Sequence, residues 1–258
     1  MTNNYNIVLL GSGNVANHLA EMFIINDINI SQIFNINKRS GITLAKKYNL
    51  DFTNEFKEIR KDADLYIIAV KDNYISDVIK NLNINNGTVV HTSGTTDINV
   101  FNNKFKNYGI LYPLQTFTKD TKLDYNELPF FIESNNVVSL ETISYIANKI
   151  SKSVTKVNSK QRKILHIAAI FACNFTNYLY TISDELLSNN NLDFNLLKPL
   201  IKETTRKALI EKPANNQTGP AKRKDLKVIN EHLSVLENNK EMKQIYGLIS
   251  EFIINKEK

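Results

Sequence analysis

The chain has 258 residues, 42% hydrophobic and 22% charged, which is enough apolar material for two ordinary cores and far from the composition of a disordered segment. Its formal net charge of +6 comes from lysines scattered along the whole sequence, with no basic stripe or arm, which argues against a nucleic-acid-binding protein. The single cysteine, Cys173, excludes an internal disulfide framework and a cysteine-based metal site; no run reaches the roughly 18 apolar residues of a membrane span, and MTNNYNIVLLGSG has no basic region before its apolar run, so a cytoplasmic protein is expected.

Residues 7–10 read as a strand that runs into Gly11-Ser12-Gly13-Asn14-Val15-Ala16 and then into an amphipathic helix. A dinucleotide-binding unit needs this order. Gly11 takes the tight turn, Gly13 keeps side chains away from a pyrophosphate, Ala16 stands at the third position of G-x-G-x-x-G/A, and the free amides opening the helix face the phosphates. Short apolar runs at 30–34, 65–70, 88–91 and 109–112 predict further strands, with helical spacing between them after Ser40 and after Asp72. This alternation predicts an α/β fold, a doubly wound Rossmann-like parallel sheet. Two more strands, at 128–133 and 153–157, flank a helix at 139–150 and close a dinucleotide-binding domain at 1–157. From Asn158 onward glycine is nearly absent and helical periodicity takes over at 159–187, 194–211 and 222–254, which makes 158–258 an all-helical domain. Ser159 and Asp193 read as caps, Pro199 as a kink or restart, Pro213 as lying past a helix end, and Cys173 in its IFACNF setting as a packed thiol.

At the end of the second strand an acidic residue would bond the ribose of NAD. Here the sequence is Asn35-Ile36-Asn37-Lys38-Arg39-Ser40. With no carboxylate but two cations and several neutral donors, a 2′-phosphate is favoured, each hydrogen bond to a charged group being worth about 1.5–3 kcal/mol. NADP is therefore the expected cofactor, with NAD the alternative. Val70-Lys71 and His91-Thr92-Ser93, at the carboxyl ends of their strands, are expected to flank the nicotinamide and join Gly11, Ser12, Gly13, Asn14, Val15, Asn35, Lys38 and Arg39 in the cofactor site. His91 equally reads as a satisfied end-of-strand histidine. Tyr112-Pro113-Leu114-Gln115-Thr116-Phe117 reads as a loop between domains that touches the ligand through Gln115 and Thr116. On the long helix a 100° step puts Cys173 and Asn177 each within about 20° of His166 and Asn174 about 80° away from it, giving an otherwise apolar helix one polar side. That side faces a ligand or forms an internal polar cluster. Near the end, Arg223 either clamps a substrate carboxylate or pairs with Asp225.

The segments GSGNVANHLA, DLYIIAVKDNYI, HTSGT, YGILYPLQTF, LHIAAIFACNFTN and TGPAKRKD, in this order, resemble one family that joins a Rossmann-like domain to a C-terminal helical domain of unknown function. Its members carry the description NADP oxidoreductase and are similar to pyrroline-5-carboxylate reductase and the 6-phosphogluconate dehydrogenase superfamily. The resemblance covers nearly the whole chain. It implies a nicotinamide cofactor, a homodimer formed through the helical domain, and a cleft lined by the motif residues; it names no substrate. One position departs from the family pattern: aligned on Leu44-Ala45, the arginine of the relatives' S-R-T or S-R-S is Ile36 here.

These readings converge on an oxidoreductase that moves hydride between a nicotinamide and a C=O or C=N carbon of a small, anionic substrate. His166, whose side chain has a reference pKa of about 6.5, is the general acid, with Asn174 beside it in the catalytic set; Gln115, Thr116, Arg223 and Asp225 hold the substrate. The alternative is a non-catalytic dinucleotide sensor, since H-E-x-x-H, G-x-S-x-G, a P-loop and the helix lysine motif of 6-phosphogluconate-type dehydrogenases are all missing from the sequence.

Overall fold

Four consecutive fully buried aliphatics, Ile7 to Leu10, make strand β1 (Asn6–Leu10), the continuous apolar run of a strand covered on both faces. In the computed structural model, which describes residues 5–118 and 123–256, it is followed by α1 (Asn14–Ile25), β2 (Asn29–Phe34), α2 (Lys38–Tyr48), β3 (Phe52–Thr53), β4 (Leu65–Ile68), α3 (Ile75–Asn81), β5 (Thr88–His91), β6 (Asn107–Pro113), β7 (Phe130–Ser134), α4 (Val137–Ile150) and β8 (Val154–Lys156). The eight strands form one sheet in the order β3-β2-β1-β4-β5-β6-β7-β8. Strands β1 to β6 are parallel neighbours, β7 returns antiparallel to β6, and β8 runs parallel to β7. The expected α/β Rossmann-like sheet is thus present, with one reversal at β7 that strand–helix alternation does not foretell.

Strand alternation sorts the core. Ile7 and Leu9 join α1 and α4 residues such as Phe23 and Ile146 in one cluster, while Val8 and Leu10 join Tyr66, Ile79 and Phe101 in the other, as the period of two requires. Strand β1 lies between β2 and β4, so the chain crosses over at the carboxyl end of β1, where ligands of open α/β sheets bind.

The remaining helices are α5 (Ser159–Ala169), a π-helix at Ile170–Phe175, α6 (Thr176–Ser188), α7 (Lys198–Ile210), α8 (Leu226–Val235) and α9 (Lys240–Asn255). Four local expectations are corrected. Asn158, not Ser159, caps α5, in a reciprocal box with Gln161; the Ser159 hydroxyl donates to Glu133 instead. The helix expected over 222–254 is two helices. Lys224 takes a left-handed φ of 57°, Asp225 caps α8 and Asn239 caps α9, side chains that compete with a continuing helical backbone. Cys173 is exposed, not packed. The 100° step also fails across Ile170–Phe175, because i→i+5 bonding adds about one residue to the turn, so the computed alignment of His166, Cys173 and Asn177 does not carry through it. Asp193 caps the 3-10 turn Phe194–Leu197 that precedes α7, and not α7 itself, accepting from Asn195 N–H, and Pro199 lies in the first turn of α7, where its missing N–H costs nothing.

The chain divides into two compact units, up to Asn174 and from Phe175. The first keeps α5, which lies beyond the expected boundary at residue 157, because Arg162 fastens that helix to the sheet. Among the described residues of the second unit the buried ones are Ala221, Ile229, Met242 and Ser250, while Tyr178, Leu196, Leu200, Leu209 and Phe252 are exposed. Among the described residues no helix is long and apolar enough to cross a membrane.

Candidate dinucleotide site

The two loop glycines meet different demands. Gly11 has φ +130°, and a Cβ there would lie 2.2 Å from Ala69 O, so the turn is pressed against the end of β4 and admits no side chain. A Cβ at Gly13 would meet nothing within 4 Å. The space in front of it is open, α1 starts there with no side-chain cap, and its first turn has no acidic residue. An uncapped helix N-terminus is a ready anion site, and the opening at Gly13 is one that any side chain would fill. A pyrophosphate fits both features.

The cavity around this loop measures about 870 Å³ and is lined by residues 11–15, the end of β2 with Ser40, and Ala69, Val70, Lys71, Tyr74 and Val78. Of the lining residues, Lys71 is cationic and none is acidic. At the end of β2, Ser12 Oγ donates to Ser40 Oγ at 3.0 Å, Asn35 Nδ2 donates to Ser40 Oγ at 3.0 Å and to Asn37 O at 2.8 Å, and Asn37 caps α2. The ribose end is therefore built from neutral amides and hydroxyls. Ile36, 67% exposed, lines the cavity, whereas Lys38 and Arg39 occupy the exposed first turn of α2, outside the lining set.

A second cluster stands at the carboxyl ends of β5 and β6. Arg162 on α5 has no exposed surface. Its guanidinium pairs with Glu133 at the end of β7, donates from Nε to Ser93 O at 3.1 Å, and also donates to Thr96 O and Ser159 Oγ; Glu133 in turn accepts from Ser159 N and Oγ at 3.0 and 2.8 Å. The buried charge is thus both paired and hydrogen-bonded, as burial demands. One helical turn further on, His166 Nδ1 lies 3.0 Å from Tyr112 Oη. Gly94 is wedged beside both: a Cβ there would come within 2.7 Å of His166 Nδ1 and 2.8 Å of Tyr112 Oη. Burial pushes the Tyr112 phenol up to about 12, against the opposing charge of Arg162.

His91, expected at the nicotinamide, faces the core. It has no exposed surface, accepts from Ser93 N–H at 3.1 Å and stacks on Phe101; burial, with the Arg162 charge adding to it, lowers its pKa to about 3, so the ring is neutral near pH 7. Thr92 and Ser93 are also buried, and Ser93 Oγ accepts from the N–H groups of Thr95 and Thr96. These three side chains form the turn and are not among the residues lining the cavity.

The loop after β6 is tied to α1. Asn14 Nδ2 donates to Phe117 O at 2.9 Å, and buried His18 packs on Phe117 with its two ring nitrogens each 2.7 Å from Thr118 O and Tyr125 Oη. Gln115 is exposed and accepts from Thr116 N–H. In the second unit Asp225 uses its carboxylate to cap α8 through Val228 N–H, and Arg223 is exposed; Asp225 is thus engaged as a cap. Asn174 and Cys173 are exposed within the π-helix, a local form found often at functional sites. Sequence reasoning missed Arg162, Glu133, Tyr112 and His18 as site-shaping residues. An arginine four residues before the candidate histidine, on the same helix face, and a glutamate ending the apolar run FFIES were the available signals.

A family model described as NADP oxidoreductase, coenzyme F420-dependent, matches residues 6–92, and one described as a domain of unknown function (DUF2520) matches residues 128–253. The crystal structure of a Bacteroides fragilis protein assigned as an NADP oxidoreductase is 37% identical, with 98% of each chain covered and a TM-score of 0.89. A Thermotoga maritima protein shares the fold at 22% identity and a TM-score of 0.72, over 97% of this chain and 99% of that one. A reductive aminase from Aspergillus terreus, solved in complex with NADPH and ethyl-5-oxohexanoate, shares the fold at 11% identity and a TM-score of 0.70, over 98% of this chain and 95% of that one. No protein with a curated description matches. With its Rossmann-like sheet, its helical C-terminal region and 37% identity along nearly the full length of the Bacteroides fragilis protein, the chain belongs to the NADP oxidoreductase family that carries this C-terminal domain of unknown function.

Proposed function

We propose that the protein is an NADP-dependent oxidoreductase that moves hydride between the nicotinamide and a C=O or C=N carbon of a small anionic substrate. The observation that carries this reading is the open, uncapped start of α1 at Gly13. When bound, the cofactor supplies the hydride. The chain's own residues do the rest: the amides of residues 11–15 hold the pyrophosphate, Asn35 and Ser40 the ribose, and Lys38 and Arg39 reach a 2′-phosphate. Val70 and Lys71 border the nicotinamide half, with His91, Thr92 and Ser93 shaping the turn behind it. His166 is the proton donor, with Asn174, Gln115 and Thr116 orienting the substrate, Arg223 taking its anionic group, and Asp225 fixing the start of α8. Residues 1–157 serve the cofactor; 158–258 serve the substrate and a homodimer, whose formation would cover the exposed apolar side chains of the second unit.

Thermal melts with NADPH and NADH test the cofactor. NADPH at one hundred times its dissociation constant is expected to add about 2.7 kcal/mol, NADH at the same concentration less, and Lys38→Ala with Arg39→Ala to narrow the difference. No shift with either coenzyme overturns the reading. Once a screen of oxo acids, imines and aldehydes gives turnover, His166→Gln is expected to lower it by about 10²–10⁴ with NADPH affinity kept; affinity lost in parallel would remove His166 from the proton-donor role. Tight NADPH binding without turnover would leave the sensor.

A further inference from the structure

We propose that Tyr112 is the positioning residue of His166: its hydroxyl donates to Nδ1 of the neutral ring and so holds the single hydrogen of that ring on Nε2, as a hydrogen-bond donor toward the substrate. The role rests on the reading of His166 as a substrate-facing residue, with proton transfer left to the protonated ring, but the direction of the hydrogen bond is a property of this chain alone.

A neutral imidazole has one donor and one acceptor nitrogen, so a 3.0 Å contact between Tyr112 Oη and His166 Nδ1 can run either way. The surroundings choose. Tyr112 is 7% exposed, and its burial keeps the phenol protonated. That hydrogen needs an acceptor. Gly94 presents no side chain and sits so close that a Cβ would lie 2.8 Å from Oη. Arg162, the nearby cation, is a donor only, and its guanidinium is already committed to Glu133 and two loop carbonyls. Nδ1 is the acceptor that the structure places within reach of the phenol. A ring that instead donated from Nδ1 would leave the buried hydroxyl hydrogen without an acceptor, which burial penalises.

A second tyrosine–histidine contact, at His18, is wired differently: Thr118 O can only accept, so Nε2 carries a hydrogen there, while Tyr125 Oη, 2.7 Å from Nδ1, also hydrogen-bonds the Glu21 side chain. At His166 the Tyr112 and imidazole rings stand edge-on at 65° with centroids 6.1 Å apart. The other ring nitrogen of His166 then offers an N–H that can hydrogen-bond a substrate oxygen or nitrogen. Arg162, four residues earlier on α5, fixes the helix that carries the ring.

The test is a long-range ¹H–¹⁵N correlation spectrum of the full chain labelled at its four histidines, in mildly alkaline buffer, with His166→Gln identifying the His166 signals. The expected spectrum has Nδ1 bare and Nε2 protonated at His166. Tyr112→Phe is expected to lose that fixed pattern to an averaged mixture of tautomers, and Gly94→Ala, whose Cβ would push between the two side chains, to lose it as well, while the other three histidines report an intact fold. A proton found on Nδ1 in the wild type, or a His166 pattern unchanged by Tyr112→Phe, overturns the proposal. Failure of the oxidoreductase reading would appear separately, as no NADPH shift in the melts, and would leave the tautomer result standing.

Discussion

Arg162→Ala is expected to lower the unfolding free energy by about 3–5 kcal/mol, the range for breaking a buried pair by removing one partner. The side chain has no exposed surface, and its partner Glu133 has 14%. Truncation leaves a mostly buried carboxylate without its counter-charge and withdraws donors from Ser93 O and Thr96 O, each worth about 1–3 kcal/mol when left unmade; the losses overlap, so the sum stays near the pair value. At about 2–4 °C per kcal/mol for a chain of this size, the melting temperature should fall by roughly 6–20 °C. Glu133→Gln, which keeps an acceptor but removes the charge, should cost less. The control is Asp62→Asn, which breaks a pair whose side chains are 44% and 69% exposed and should change stability by less than about 1 kcal/mol. An Arg162→Ala loss as small as the control's would mean that water replaces the guanidinium and that α5 is held by something else.

The glycine loop predicts opposite failures two residues apart. Gly11→Ala should destabilise the chain by at least about 2 kcal/mol, since it adds left-handed strain to a steric clash: φ is +130° and the new Cβ would stand 2.2 Å from a backbone oxygen. Gly13→Asp should spare the fold, because nothing lies within 4 Å of that Cβ and aspartate is a better N-cap than glycine. Its carboxylate would take the amides meant for the pyrophosphate and repel it. The expected result is an unchanged or raised melting temperature without ligand, and loss of the about 2.7 kcal/mol that saturating NADPH adds, equivalent to at least a hundredfold loss of affinity. A Gly13→Asp protein that still shifts with NADPH would place the phosphates elsewhere.

What could be read from the sequence were features whose causes are local. The five parallel strands predicted in the first half are apolar runs, and the glycine loop is a six-residue pattern, although the carbonyl that makes Gly11 obligatory belongs to Ala69, just past the end of β4. β3, two residues long, is too short to form a periodic signal. Asn158 outcompetes Ser159 as the cap because Gln161 stands three residues on to reciprocate, a pattern visible in the sequence. Arg162 was illegible for a different reason: its partners Ser93, Thr96 and Glu133 lie 29 to 69 residues away, and no periodicity reports a contact at that range. On the cofactor side, the polarity of the β2 end was readable, but which residues line the cavity depended on where α2 begins, and that start turned Lys38 and Arg39 into its first turn.

The π-helix at Ile170–Phe175 also bears on how the protein can change length. A widened turn is a one-residue insertion absorbed without breaking the rod. Deleting a single residue there would let the backbone close as an ordinary α-helix, with the residues that follow keeping nearly the register they have now. In an ordinary α-helix the same deletion would turn every following side chain by about 100° about the axis, whereas in this segment the gain or loss of one residue is confined to the turn itself.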